Sequence, residues 1–275
     1  RSSDQRNAKR LTANARLQLI HGELCEVSGL CEHIDVVVNF AAKTFVDHSI
    51  LDDAPFLESN VHGARALMRD AMRYGVSRFV QVSTDEVYGE ILSGAYTEEA
   101  LLQPRNPYSW SKAAADLYAI TLHRMHGFPV IITRTENNFG PYQHRQKALP
   151  TFVREALRNA PIPVYGDGLH VRCWLHVEEH CRAIWHLVMQ SLDIGYRKDV
   201  LNATGQEPFL GEVFHVAGED ELTNIELAKL VLRTLDKPED RIRYIPDTHI
   251  RPGHDRRYAL DCTKLRGTGF KIAQD

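Results

Sequence analysis

Short, continuously apolar runs recur along this chain, separated by amphipathic stretches with helical spacing, and this alternation limits its fold more than any other feature. The runs are "LQLIHG" (17–22), "DVVVNFAA" (35–42), "RFVQVST" (78–84) and "PVIITRT" (129–135), with "FLESNVHGARALMRDAMRYG" and "SWSKAAADLYAITLHRMHG" between the later ones. Runs of strand length with no polar face belong to strands buried on both sides, and intervening helices provide the cover. The expectation is a doubly wound α/β fold with a parallel, Rossmann-like sheet. In such sheets ligands bind beyond the carboxyl ends of the strands. Three strand ends are therefore candidate site positions: "AAKT" (41–44), "STDE" (83–86) and "TENN" (135–138).

After residue 140 the texture changes to Pro and Gly punctuation, broken by short helical patterns such as "PTFVREALRN" and "VEEHCRAIWHLVMQ". A later run, "GEVFHVAG", reads as another strand, followed by a helix with Thr223 three residues before Glu226, the spacing of a capping box. The expected organisation is a Rossmann-like unit over 1–140, to which 174–192 and 211–218 return, and a smaller α-rich substrate unit over most of 141–275. The stretch 191–210 has no clear period and is expected to be a surface excursion.

Composition narrows the class. Of 275 residues, 43% are hydrophobic and 25% charged, ordinary for a globular protein with a sizeable core. The net charge of −3 comes from interspersed charges, so no stretch points to nucleic acid or an anionic membrane. No apolar run approaches the ~20 residues of a membrane span, and "RSSDQRNAKR" lacks the apolar core of a signal peptide; a cytoplasmic location is expected. Five cysteines without a CxxC pair suggest reduced thiols.

The chemistry concentrates at "VSTDEVYG" (82–89). A hydroxyl and two adjacent carboxyls, Thr84, Asp85 and Glu86, sit where a buried strand ends. Taken alone they read as a helix cap or polar turn. Of the ten tyrosines only Tyr108 has a lysine four residues later, Lys112, which places both on one helix face. A nearby ammonium favours phenolate and so lowers a tyrosine pKa toward the range of a working base.

A strand-end Ser/Thr followed by Tyr and Lys on the next helix resembles the extended short-chain dehydrogenases. The wording of "NFAAKTFVDHSI", "VSTDEVYG", "NPYSWSKAAAD", "NNFGPYQHRQKALP", "PVYGDGLHVRCWLHVEEHCRAI" and "RPGHDRRYALD" is similar, in order and spacing, to the nucleoside-diphosphate-glucose 4,6-dehydratases, most closely their dTDP-glucose branch. The resemblance implies NAD as cofactor and a nucleotide sugar, dTDP-glucose, as substrate. It implies that Tyr108, with Thr84 and Lys112, takes the proton of the sugar 4-hydroxyl during oxidation at C4. Glu86 would then remove the C5 proton, and Asp85 would protonate the departing 6-hydroxyl. Two adjacent carboxyls whose pKa values are pushed apart suit that division of labour. Also by resemblance, Glu23, Leu24, Ala41, Ala42 and Ser83 face the cofactor together with Tyr108 and Lys112. Thr44, Asn138, Lys147, Tyr165, Arg172, Arg251 and His254 hold the nucleotide sugar. A homodimer pairing through helices at 55–74 and 108–126 is implied as well.

The sequence departs from the family pattern in places. No glycine-rich loop of the GxxGxxG type is present, and "LQLIHGELCEV" resembles the family's third strand, so the chain reads as a fragment expected to hold NAD poorly. Lys43 and Phe45 stand where many dehydratases have Glu and His, and Cys173 replaces an Asp. Other readings stay open. "HVEEH" (176–180) fits the H-x-x-E-H arrangement of a zinc peptidase, with His176 and His180 on one helix face. A nucleotide-sugar epimerase or decarboxylase, or a remnant that only binds nucleotide or a partner, would share much of the pattern.

Overall fold

The computed structural model describes residues 16–26, 28–196, 209–246 and 255–272. Strands β1 (Val36–Asn39), β2 (Arg78–Thr84) and β3 (Val130–Thr135) are the expected apolar runs. Between β1 and β2 lie α1 (Val46–Leu51) and α2 (Ala54–Phe56), which passes through a π-helical segment (Leu57–Gly63) into α3 (Ala64–Tyr74). Helix α4 (Pro107–His126) connects β2 to β3. The chain continues through β4 (Asn137–Phe139), α5 (Ala148–Leu157), β5 (Ile162–Tyr165), β6 (Val171–His176) and α6 (Val177–Tyr196). It ends with β7 (Val213–Val216), β8 (Glu221–Thr223), α7 (Asn224–Thr234), β9 (Ile242–Ile245) and α8 (Thr263–Gly267).

The main sheet is wholly parallel in the order β1-β2-β3-β7. All six residues of β3 are buried, as a strand covered on both faces requires. Alternate residues feed two cores. Phe79, Val130 and Ile132 meet Leu67, Met68 and Ala71 of α3 and Ala115, Ala119 and Leu122 of α4 on one face. Val80, Ile131 and Phe214 meet Ala183, Ile184, Leu187 and Val188 of α6 and Leu265 of α8 on the other. Side chains this fully withdrawn from water contribute about 1.5–3 kcal/mol each. A third core joins α5 and α7 to Ile162 and Val164 of β5, beside two small sheets, β4-β6-β8 and β5-β9.

Two expectations change. "LQLIHG" forms no strand: Leu17, Leu19 and Ile20 are exposed, and β1 is the sheet edge among the described residues. A strand is stable only when its backbone groups find a ladder partner, and here none is formed. The expected excursion at 191–210 begins inside α6, which runs to Tyr196; residues 197–208 lie outside the described residues. The capping box at Thr223 and Glu226 forms in both directions, starting α7.

Candidate active site

β2 ends at Thr84, and the backbone tightens at once into a single 3-10 turn over Asp85–Val87. The Thr84 hydroxyl accepts the Glu86 N–H (3.3 Å) and donates to Asp85 Oδ1 (2.9 Å). The capping role read from the sequence is therefore real, and it aims the two carboxyls. Gly89 closes the segment at φ +81; a Cβ there would lie 2.7 Å from the Gln103 carbonyl oxygen, so only glycine fits.

The second half of the site is the start of α4. Asn106 accepts the Ser109 N–H (2.9 Å), Ser109 Oγ takes the Asn106 N–H (3.2 Å), and Pro107 occupies the first turn. This box fixes where Tyr108 and Lys112 emerge. Both are buried, and Ser49 Oγ of α1 accepts the Tyr108 N–H (3.2 Å). Asn106 Nδ2 also donates to Glu86 Oε2 (3.4 Å), so the cap that starts the helix touches the neighbouring carboxylate.

The electrostatics separate the members of the group. Burial and then the Glu86 charge raise Asp85 to about 7, against the Thr84 hydroxyl and Arg172. Glu86 is also raised by burial, but Arg172, Asn106 and Lys147 all favour its charged form. Both carboxyls are thus biased toward the protonated form by burial, and what differs is the set of groups that oppose it. Tyr108 departs from expectation: burial and Glu86 raise it, with Thr84 opposing. Burial also lowers Lys112, to about 8. The physical reason is that both groups lie in the interior, where burial opposes the charged form; Lys112 Nζ donates to the Val82 carbonyl (2.6 Å).

The donor set fits a dinucleotide. Val82 uses one Lys112 N–H, and an ammonium carries two more donors. The Phe40 ring is 55% exposed at the end of β1, followed by the small residues Ala41 and Ala42. This loop is held from two sides: Asn39 Oδ1 accepts the Ala41 N–H, and buried Asn60 of the π-helical segment binds the Lys43 N–H and carbonyl while donating to Ser111. Ser83 is buried next to Asp116; Glu23 is exposed, and Leu24 packs on the α3 side of the core.

The profile of a known family, described as GDP-mannose 4,6 dehydratase, matches residues 1–272. The chain belongs to that family. It is 40% identical to a dTDP-glucose 4,6-dehydratase of Actinoplanes over 95% of this chain and 77% of the relative. It is 42% identical to the low-salt glycan biosynthesis protein Agl12 of Haloferax volcanii, over 89% of this chain and 73% of the relative. The crystal structure of DesIV, a dTDP-glucose 4,6-dehydratase of Streptomyces venezuelae with NAD bound, superposes with a TM-score of 0.87 at 39% identity, covering 99% of this chain and 80% of that one. A UDP-glucuronic acid 4-epimerase of Bacillus cereus shares the fold, with a TM-score of 0.87 at 21% identity, covering 98% and 81%.

Against the dehydratase pattern, the nucleotide-sugar candidates divide. Lys147 Nζ donates to the Thr44 carbonyl (3.1 Å) and lies over the Phe45 ring (4.6 Å), joining the segment before α5 to the loop after β1. Asn138 donates to Thr135 Oγ1 and to the Glu136 carbonyl. Tyr165 is exposed at the end of β5 in a separate two-stranded sheet. Arg172 is buried: its fork donates to the carbonyls of Val171, Asp255 and Arg256 and stacks on Tyr258, instead of standing open for a diphosphate. Its charge still acts on Asp85 and Glu86. Arg251 and His254 lie outside the described residues.

The zinc arrangement does not form. His176 ends β6 while His180 lies on α6, so they do not share a helix face, and no metal-holding group of His, Cys, Asp or Glu occurs among the described residues. Sequence reasoning overlooked three buried ionisable groups in this part of the sheet. Asp116 and Arg134 pair at 3.0 Å. Glu136 accepts the Leu260 N–H (2.9 Å) and is raised to about 8, chiefly by burial and then by Asp85, with Cys173 as its thiol neighbour. The "TENN" strand end was the available signal for Glu136.

Proposed function

We propose that this chain dehydrates dTDP-glucose to dTDP-4-keto-6-deoxyglucose, and that Thr84, Asp85, Glu86, Tyr108 and Lys112 perform the chemistry. The observation that supports this most directly is the pair of adjacent buried carboxyls, Asp85 raised to about 7 and Glu86 facing the Arg172 and Lys147 charges and the Asn106 amide. Tyr108 receives the proton of the sugar 4-hydroxyl; the Thr84 hydroxyl favours its phenolate, and Lys112 lies four residues along the same helix. NAD, when bound, would supply a hydride acceptor for C4 and a hydride donor for C6, with no net change in its oxidation state. With C4 a ketone, the C5 proton is acidic, and Glu86 removes it. Asp85 protonates the 6-hydroxyl as water leaves, and once hydride is back at C6 the proton held by Glu86 returns to C5.

Ala41, Ala42, Ser83, Tyr108 and Lys112 are the residues we assign to the nicotinamide half of the cofactor, with Glu23 and Leu24 toward the adenine. Lys147, Thr44, Asn138, Tyr165, Arg172, Arg251 and His254 are assigned to the nucleotide sugar, Arg172 acting through its charge. The sheet β1-β2-β3-β7 is thus the cofactor side, within 1–140 and the returning segments 174–192 and 211–218. Most of 141–275 forms the substrate side. We further propose a cytoplasmic homodimer joined through α3 and α4. Among the described residues no helix is long and apolar enough to cross a membrane, and Trp110 and Leu117, seven residues apart on α4, are about half exposed.

The test is incubation with NAD and dTDP-, UDP-, GDP- or CDP-glucose, with product analysis. A 4-keto-6-deoxy sugar formed from dTDP-glucose is the expected result. A C4 epimer, a decarboxylated product or no turnover with any sugar would reject the proposal.

A further inference from the structure

Beneath the catalytic pair, α4 and β3 enclose a row of charged and polar groups that the proposed chemistry does not use. Asp116 lies one helical turn beyond Lys112, is fully buried, and its charge favours the Lys112 ammonium against the burial that opposes it. Arg134 Nε donates to Asp116 Oδ2 (3.0 Å), while Arg134 Nη1 donates to the Tyr88 hydroxyl (2.6 Å). The Tyr88 hydroxyl meets His215 Nε2 at 2.7 Å, and His215 Nδ1 lies 3.0 Å from the Asp261 carbonyl. With Nδ1–H donating to that carbonyl, Nε2 is left to accept from Tyr88. The Ser83 hydroxyl, at the end of β2, faces Asp116 from the side of the site.

A buried carboxylate is expensive unless it is paired and hydrogen-bonded; burial raises the Asp116 pKa, and Arg134 opposes that through its charge and its bond to Oδ2. Its pairing with Arg134 fixes its position, and Tyr88 and His215 in turn hold the guanidinium from behind. We propose that Asp116 is a positioning residue for Lys112: a buried counter-ion, locked by Arg134, that keeps the lysine charged beside Tyr108. The other titratable groups in this neighbourhood are Tyr108 on α4, Asp85 and Glu86 after β2, and Arg134 on β3. Of the carboxyls, Asp116 alone shares the helix of Lys112 and lies at i+4 to it.

The effect on catalysis rests on the dehydratase reading; the effect on Lys112 does not. The experiment is a titration of isotope-labelled lysine by nuclear magnetic resonance, with the Lys112 signal identified by its loss in Lys112→Met. In Asp116→Asn the Lys112 midpoint should fall by about one pH unit or more. That variant leaves Arg134 buried without its partner, which threatens folding, so the double variant Asp116→Asn/Arg134→Gln is measured beside it and should show the same downward move. Turnover in either variant should lose kcat about tenfold at neutral pH with KM nearly unchanged, and recover as Lys112 is recharged at lower pH. An unmoved midpoint in both variants would overturn the proposal. A wild-type chain with no turnover but a shifted midpoint in the variants would instead reject the dehydratase reading and leave the counter-ion role standing.

Discussion

At the residue scale, the adjacent carboxyls are distinguished by what surrounds them. Burial raises both, Asp85 to about 7 with the Glu86 charge adding to it, while Arg172, Asn106 and Lys147 oppose the rise at Glu86 and Thr84 and Arg172 oppose it at Asp85. Glu86→Gln should lower turnover by about 10²–10⁴-fold and abolish exchange of the sugar C5 proton with deuterated solvent, while oxidation at C4 persists. With Asp85 as the proposed acid, kcat should decline as pH rises through about 7; a flat profile from pH 6 to 9 would contradict that assignment. Glu136 permits a separate stability test. Its pKa rises from 4.5 when unfolded to about 8 when folded, so the folded state binds the extra proton in that window. Its contribution is complete below 4.5 and lost as pH rises through 8. Glu136→Gln should therefore match the wild type near pH 5 and exceed it by a few kcal/mol near pH 9 in denaturant titrations.

At the element scale, the start of α4 does two jobs. The Asn106 side chain closes the capping box that begins the helix, and its amide also reaches Glu86. Asn106→Ala should cost about 1 kcal/mol in urea unfolding from the lost cap. It should also raise the Glu86 pKa, moving the acidic limb of the rate profile toward higher pH; Asn106→Asp should keep the cap but not the Glu86 contact. The capping boxes at Asn106 and Thr223 are local, which is why the Thr223 one was legible from a three-residue spacing. The π-helical segment was not. It brings Asn60 onto the Lys43 backbone and Ser111, contacts that span 17 and 51 residues. No periodicity in the sequence encodes them.

At the scale of the whole molecule, the parallel sheet assembles the site from distant segments. The Thr84 and Thr135 positions pair across β2 and β3, so the turn holding Asp85 and the strand end holding Glu136 leave the sheet side by side. The exposed Trp110 and Leu117 mark the α4 face that the proposed homodimer would cover. Trp110→Glu/Leu117→Glu should yield a monomer by sedimentation with unchanged circular dichroism, and a chain already monomeric at micromolar concentration would remove that part of the proposal.

The sequence by itself determined the parallel α/β class, the helix boundaries around α4 and α7, and the group of Thr84, Asp85, Glu86, Tyr108 and Lys112. These are set by hydrophobic period, by caps and by neighbours within four positions, all of which are local. Only the tertiary structure decided the charge state of that group. Spacing placed a lysine beside Tyr108, but burial then raised the phenol and lowered the ammonium. It likewise turned Arg172 inward to backbone carbonyls and set Asp116 against Arg134, since desolvation and pairing across strands depend on the packed interior and not on distance along the chain.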